Sequence, residues 1–171
     1  MPTYSDDTIK SILRATKVIA MVGASGNDMR PSYFAMKYLL DKGFKVIPIN
    51  PGMAGKTVLD QPVYGSLKDA PAPVDMVDIF RAADAAPGIV REALAEKDRL
   101  GIKTIWMQLG IVSEEAAAMA REAGLDVVMD RCPKIEYGRL SGEISWLGVN
   151  RRTIDNRKPL LFSKGGSLKR G

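Results

Sequence analysis

The chain has 171 residues, a formal charge of +5 from 25 Lys+Arg against 20 Asp+Glu, one cysteine and no histidine. That length suits one domain with a proper core, and the missing histidine excludes a Ser-His-Asp triad, a histidine general base and a phosphohistidine intermediate. One cysteine forbids an internal disulfide and, without histidine, a His/Cys zinc site, while the lone Cys132 suits a reducing cytoplasm.

In chain order, Asp6 to Thr16 is expected as an N-terminal helix, and Met1 to Lys10 lacks the apolar core of a signal peptide. Lys17 to Val22 (KVIAMV) reads as a buried strand ended by Gly23. Pro31 to Lys42 reads as a helix, with Pro31 in the first turn, where a missing N–H costs nothing, and Gly43 as its stop. Phe44 to Ile49 is a second strand whose Pro48 must lie near its end or at an edge. A Gly- and Pro-rich loop is expected from Asn50 to Tyr64.

Val74 to Phe80 (VDMVDIF) is the third strand, Asp84 to Leu100 a long amphipathic helix and Ile102 to Met107 the fourth strand. Ser113 to Ala123 is a helix, with Ser113 as N-cap, Glu114 and Glu115 favoured by the dipole of the first turn, and Gly124 as its stop. Leu125 to Met129 is the fifth strand. Strands alternating with helices at this spacing require a parallel sheet covered on both faces. The fold class expected is therefore α/β: a Rossmann-like, doubly wound, five-stranded sheet, most simply ordered 3-2-1-4-5. No apolar run approaches the ~20 residues that span a bilayer.

Open parallel sheets bind ligands beyond the carboxyl ends of their strands, at the switch point. Gly23-Ala24-Ser25-Gly26, Asn50-Pro51, Phe80-Arg81, Gln108-Leu109-Gly110 and Asp130-Arg131-Cys132 should line that crevice. Small residues at 23–26 allow backbone N–H groups to approach an anion, and the helix that follows adds partial positive charge. A tight strand–helix turn would require the same glycines. The loop GASGNDMRPS lacks the G-x-G-x-x-G fingerprint for NAD, and Asn50 stands where a ribose-binding acid is usual. A Walker loop is absent too, since Gly55-Lys56-Thr57 follows Gly52 too closely.

The runs VGASGNDMRPSY, VIPINPGMAGKTVLDQPVYGSLKDAP and WMQLGIVSEEAAAMAREAGLDVVMDRC lie at the expected crevice loops in order. In them the chain resembles the small stand-alone CoA-binding proteins, a family that looks related to the CoA-binding domain of the succinyl-CoA ligase alpha subunit. The resemblance covers about residues 10–140 and implies coenzyme A held across the switch point. By position it implies that Gly23, Ala24 and Ser25 form the phosphate loop, and that Asn50, Pro51 and Met53 border adenine and ribose. Ile79, Phe80 and Arg81 match the third-strand exit, and Gln108 and Leu109 the fourth.

Coenzyme A carries a pyrophosphate and a 3′-phosphate, so cationic groups are needed. Arg30, Lys56 and Arg81 lie in loops able to supply them, with Arg81 the best placed. The alternative for each is a solvated loop cation, and Asp28 offers Arg30 an ion-pair partner.

No catalytic constellation assembles from the sequence. The ligase's phosphohistidine step has no residue to carry it here, and Cys132 lacks a base to activate it. The leading expectation is binding of CoA or an acyl-CoA in the cytoplasm without catalysis. An NAD(P)-dependent oxidoreductase and an interaction module with a vestigial cleft stand as alternatives.

The charge belongs to one end. Residues 134–171 carry nine basic and three acidic groups, whereas residues 1–133 carry 16 and 17. Domain 1–140 is thus expected to be a nearly neutral CoA-binding body without a nucleic-acid patch. Residues 141–171 form a basic tail, either mobile or docking on a neighbouring subunit or protein partner. Lys134 to Leu140 is expected to close the sheet's edge.

Overall fold

The computed structural model describes residues 2–142. The basic tail from residue 143 onward, including Trp146 and the apolar run at 160–162, lies outside the described residues.

Ser5 caps the first helix, α1 (Asp6–Ala15), by accepting the Thr8 N–H at 3.1 Å. Strand β1 (Val18–Val22) leads through the 23–30 loop into α2 (Pro31–Asp41), and β2 (Lys45–Ile49) follows. A 3-10 turn at Pro51–Met53 precedes a small hairpin, β3 (Thr57–Val58) and β4 (Gln61–Pro62). Its turn residues Leu59 and Asp60 have φ of 47° and 64°, as a tight hairpin of matching twist demands. A second 3-10 turn, Leu67–Asp69, leads to β5 (Met76–Ile79).

The long helix expected over 84–100 is divided. A 3-10 turn at Ala83–Ala85 opens α3 (Ala86–Ala95), and α4 (Lys97–Leu100) follows after a break at Glu96. Then come β6 (Thr104–Met107), α5 (Glu114–Glu122) and β7 (Asp126–Val128). Ser113 caps α5 as expected, accepting the Ala116 N–H at 3.2 Å.

Helix α6 (Pro133–Leu140) occupies the stretch expected to close a sheet edge. Instead it lies on a sheet face beside α1 and α2. Tyr137 anchors it edge-on between the rings of Tyr38 and Phe44, at 6.2 and 5.4 Å. Eight residues with a central Gly138 give too little periodicity to announce a helix, and burial of one aromatic ring settles its place.

The five main strands are all parallel. Side chains alternate across the sheet. Val18 and Ala20 face the layer of α3 and α5, while Ile19 and Met21 face the layer of α1, α2 and α6. The doubly wound α/β class is therefore as the sequence indicates.

The strand order is a correction. Neighbours run β2-β1-β5-β6-β7, so the third main strand lies beside the first, not beyond the second. The position beyond β2 belongs to a rudimentary strand at Tyr64, within the segment expected to be loop. Its N–H donates to the Pro48 carbonyl at 3.0 Å, and its carbonyl accepts from Asn50 N–H at 2.9 Å. Pro62 and Gly65 bracket it and prevent a longer ladder. Counting that bridge restores the 3-2-1-4-5-6 order of dinucleotide-binding sheets, with the switch point between β1 and β5. Pro48 is tolerated because β2 is the outer full strand.

The two aspartates of VDMVDIF have opposite fates. Asp75 accepts the Lys17 and Val18 N–H groups at 2.9 and 3.0 Å, stitching the start of β1 to β5. Asp78 is fully buried between Met21 and Trp106, with neither oxygen hydrogen-bonded among the described residues. Burial pushes its carboxyl well above the usual carboxylate range.

Candidate functional site

The carboxyl ends of β1, β2 and β5 open onto a cleft of about 290 Å³. Val22, Gly23, Ile49, Asn50 and Pro51 form its sheet side, and Arg81 stands at the β5 exit. The other wall comes from Gly65, Ser66 and Leu67, and from Ala85, Ile89 and Glu92 along α3. The cleft thus sits where open α/β sheets bind ligands, beside the switch point.

Gly23 is dictated by two constraints. Its φ is +91°, and a Cβ there would lie 2.7 Å from the Phe80 carbonyl oxygen and 3.0 Å from Arg81 Cδ. The glycine brings the first loop against the β5 exit, so the tight-turn requirement is real. The Gly23 N–H donates to the Ile49 carbonyl at 3.0 Å and extends the sheet. Ser25 N–H donates to Ser32 Oγ, and Ser25 Oγ accepts the Asn27 N–H. Two of the donors that the sequence offers to an anion are thus engaged internally. The Ala24 and Gly26 N–H groups make no hydrogen bond among the described residues.

Asn50 ties two of the expected loops together. Its side-chain N–H donates to the Ala24 carbonyl at 2.8 Å, and its Oδ1 accepts the Gly52 N–H at 2.9 Å. Met53 reaches the same junction, with Cε 2.8 Å from where a Cβ on Gly26 would stand. The first and second loops form one packed unit.

The remaining sequence candidates are more dispersed. Ala24 is buried against the α2 layer, and Ile79 is buried in the core on the α3 side. Phe80 packs on the α2 side, so its backbone, not its ring, borders Gly23. Lys56 and Arg30 are exposed and line no part of the cleft. Arg30 forms no pair with Asp28 among the described residues. At the β6 exit Gln108 is buried, with Oε1 unpartnered among the described residues, whereas Leu109 is 52% exposed. Neither lines the cleft.

Among the described residues Arg81 is the only cation and Glu92 the only acid in the cleft wall. Among the described residues the Arg81 guanidinium has no ion-pair partner. Glu92 Oε1 accepts the Leu67 N–H at 2.7 Å. Arg99 holds the other end of that 3-10 turn through the carbonyls of Leu67, Lys68 and Ala70, at 2.9 to 3.0 Å. The wall at 65–67 is therefore held by two charged side chains, from α3 and α4.

Ser66, Ala85, Ile89 and Glu92 escaped the sequence analysis. Residues 85, 89 and 92 share one helical stripe, next to the buried stripe of Ala86, Val90 and Ala93. Cys132 is buried at the start of α6. Asp130 accepts the Gly110 N–H, and Glu136 engages Arg139. No acid, cysteine or histidine cluster suited to a metal occurs among the described residues, and no helix among them is long and apolar enough to cross a membrane.

Known proteins supply the family. The chain is 37% identical over 137 residues to the uncharacterized protein YneT of Bacillus subtilis (strain 168), covering 80% of this chain and 97% of that protein. A hypothetical protein from Pyrococcus horikoshii OT3 superposes with a TM-score of 0.73 at 36% identity, over 80% of this chain and 92% of the other. The dinucleotide-forming acetyl-coenzyme A synthetase 1 of Ca. Korarchaeum cryptofilum matches at 25% identity and a TM-score of 0.55, over 67% of this chain and 26% of that larger one. The family profile for the CoA binding domain matches residues 17–138, from the start of β1 into α6. The chain belongs to the CoA binding domain family.

Proposed function

We propose that the protein binds coenzyme A or an acyl-CoA along the carboxyl edge of the sheet, in the cytoplasm and without catalysis of its own. The observation that carries this reading is the position of the cleft. It lies at the switch point, bounded by the Gly23 loop and by an Arg81 guanidinium with no ion-pair partner among the described residues. At about 290 Å³ it is at the small end of ligand pockets, which run from about 300 to 1,000 Å³. It therefore receives part of the ligand, the nucleoside end, with apolar walls from Ile49, Leu67 and Ile89. The phosphates lie at Arg81 and the 23–26 loop. The pantetheine arm then leaves the cleft across the strand ends toward Gln108 and the exposed Leu109.

Thermal shift and calorimetry with CoA, acetyl-CoA, NAD and NADP test the reading, since a ligand of the native state raises its apparent stability. CoA is expected to stabilise the protein and the dinucleotides are not. Arg81→Ala should weaken CoA about tenfold, the loss of one charge-assisted phosphate contact, and leave the melting point of the free protein nearly unchanged. Stabilisation by NAD without CoA would overturn the assignment. The 1–140 body is proposed to hold the whole site. A chain shortened after Gly142 should bind CoA as the full chain does, and a lost signal would give the tail a direct role.

A further inference from the structure

We infer that Glu92 is a specificity-determining residue that recognises an amino group on the base of the bound nucleotide. The inference rests on the CoA reading and adds the direction in which the nucleotide lies. Residues 85, 89 and 92 line one side of the cleft. Six residues of helix at about 1.5 Å per residue place Glu92 about 9 Å from Ala86 along α3, with Ala85 in the turn that opens it. Arg81, four residues before Ala85, stands at the end of the cleft beside the Gly23 loop, the end we call its mouth, with its Cδ against Gly23. The cleft is therefore polarised, with a cation at the mouth and a carboxylate at the inner end.

That polarity orients a nucleotide in one way. A phosphate at the inner end would face the Glu92 carboxylate and be repelled, while at the mouth it meets Arg81 and the 23–26 loop. The base then lies inward between Ile49, Leu67 and Ile89. One carboxylate oxygen is fixed by the Leu67 N–H at 2.7 Å, which sets the side chain's rotamer. A carboxylate has about four lone-pair sites and accepts only. Its remaining capacity suits an exocyclic amine, as adenine carries, and disfavours the carbonyl that hypoxanthine has at the same place. A site built around one fixed, half-buried acceptor disfavours a ligand that presents a second acceptor at that place.

The test compares CoA with its deamino analogue, which carries hypoxanthine, on the full-length protein by titration calorimetry. The wild type should prefer CoA by roughly tenfold or more, the value of a hydrogen bond to a charged group. Glu92→Gln keeps an oxygen for the Leu67 N–H and turns an amide donor toward the base. It should weaken CoA by about tenfold and strengthen the deamino analogue, bringing the ratio to one or below. Arg99→Ala, which loosens the same 3-10 turn without touching the base, should weaken both ligands equally and preserve the ratio. An unchanged ratio in Glu92→Gln, with CoA still bound, overturns the role of Glu92 and leaves the CoA site standing. Failure of the wild type to bind either ligand overturns both.

Discussion

Replacing Asp78 with asparagine is expected to make the protein gain on the wild type by about 1.4 kcal/mol for each pH unit above about 4. The native carboxyl is fully buried, has no hydrogen-bond partner among the described residues and is held well above the usual carboxylate range because burial disfavours its charge. In the unfolded chain the same group ionises near pH 4. Between those two values the native state holds a proton that the unfolded state has released, so rising pH favours unfolding. The loss continues until the pH passes the native value. Below about pH 4 both states are protonated and the penalty vanishes.

Asparagine does not titrate, so the stability difference between the two proteins isolates this one group. Every other titrating group is common to the two proteins and cancels in that difference. Urea unfolding of both proteins from pH 4 to pH 8 measures it. Parallel curves across that range would mean that Asp78 ionises normally in the folded state.

The second large effect is expected at Gly23. Gly23→Ala should cost about 2–4 kcal/mol, combining a left-handed backbone with a contact that a real Cβ does not make. The opposing atom is the Phe80 carbonyl oxygen, at 2.7 Å from the added carbon. That backbone continues the central strand β5, with the Phe80 N–H donating to the Val22 carbonyl at 2.8 Å, so the β1 and β5 exits must separate. Arg81 moves with them, and CoA affinity should fall as well.

Gly26→Ala is the internal control. Its Cβ would meet Met53 Cε at 2.8 Å, the free end of a flexible side chain, and Gly26 has no positive φ. That substitution should cost under about 1 kcal/mol, because Met53 can change rotamer. Denaturant midpoints of the two variants decide the matter. Equal stability would show that the Gly23 junction is looser than its geometry indicates.

Local chemistry was legible wherever one or two residues decide the outcome. Ser113 and Gly124 bracket α5, with Gly124 at φ 83°, and Pro31 and Gly43 bracket α2, with Gly43 at φ 92°. The apolar runs of the strands needed only their own composition. Helix α6 was missed because its evidence is one aromatic ring whose partners, Tyr38 and Phe44, lie about a hundred residues earlier. The strand order was missed for a similar reason. A single bridge at Tyr64 fills the outer position, and no pattern in QPVYGS distinguishes a bridging residue from a turn.

The candidate site divides along the same line. Gly23, Asn50, Pro51 and Arg81 were readable because each follows directly on a strand end, and strand ends define the crevice of this fold. Glu92, Ser66 and Ile89 were not, because they face the cleft only after α3 packs on the sheet.

By itself, the sequence determined the alternation of strands and helices, the absence of histidine chemistry and the family that residues 17–138 match. Those follow from covalent order and composition. The tertiary structure decided which strand lies beside which, which loop donors remain for a ligand, and that a cation and a carboxylate face one cleft. Such facts depend on contacts between residues far apart in the chain, whose energies arise only when burial brings them together.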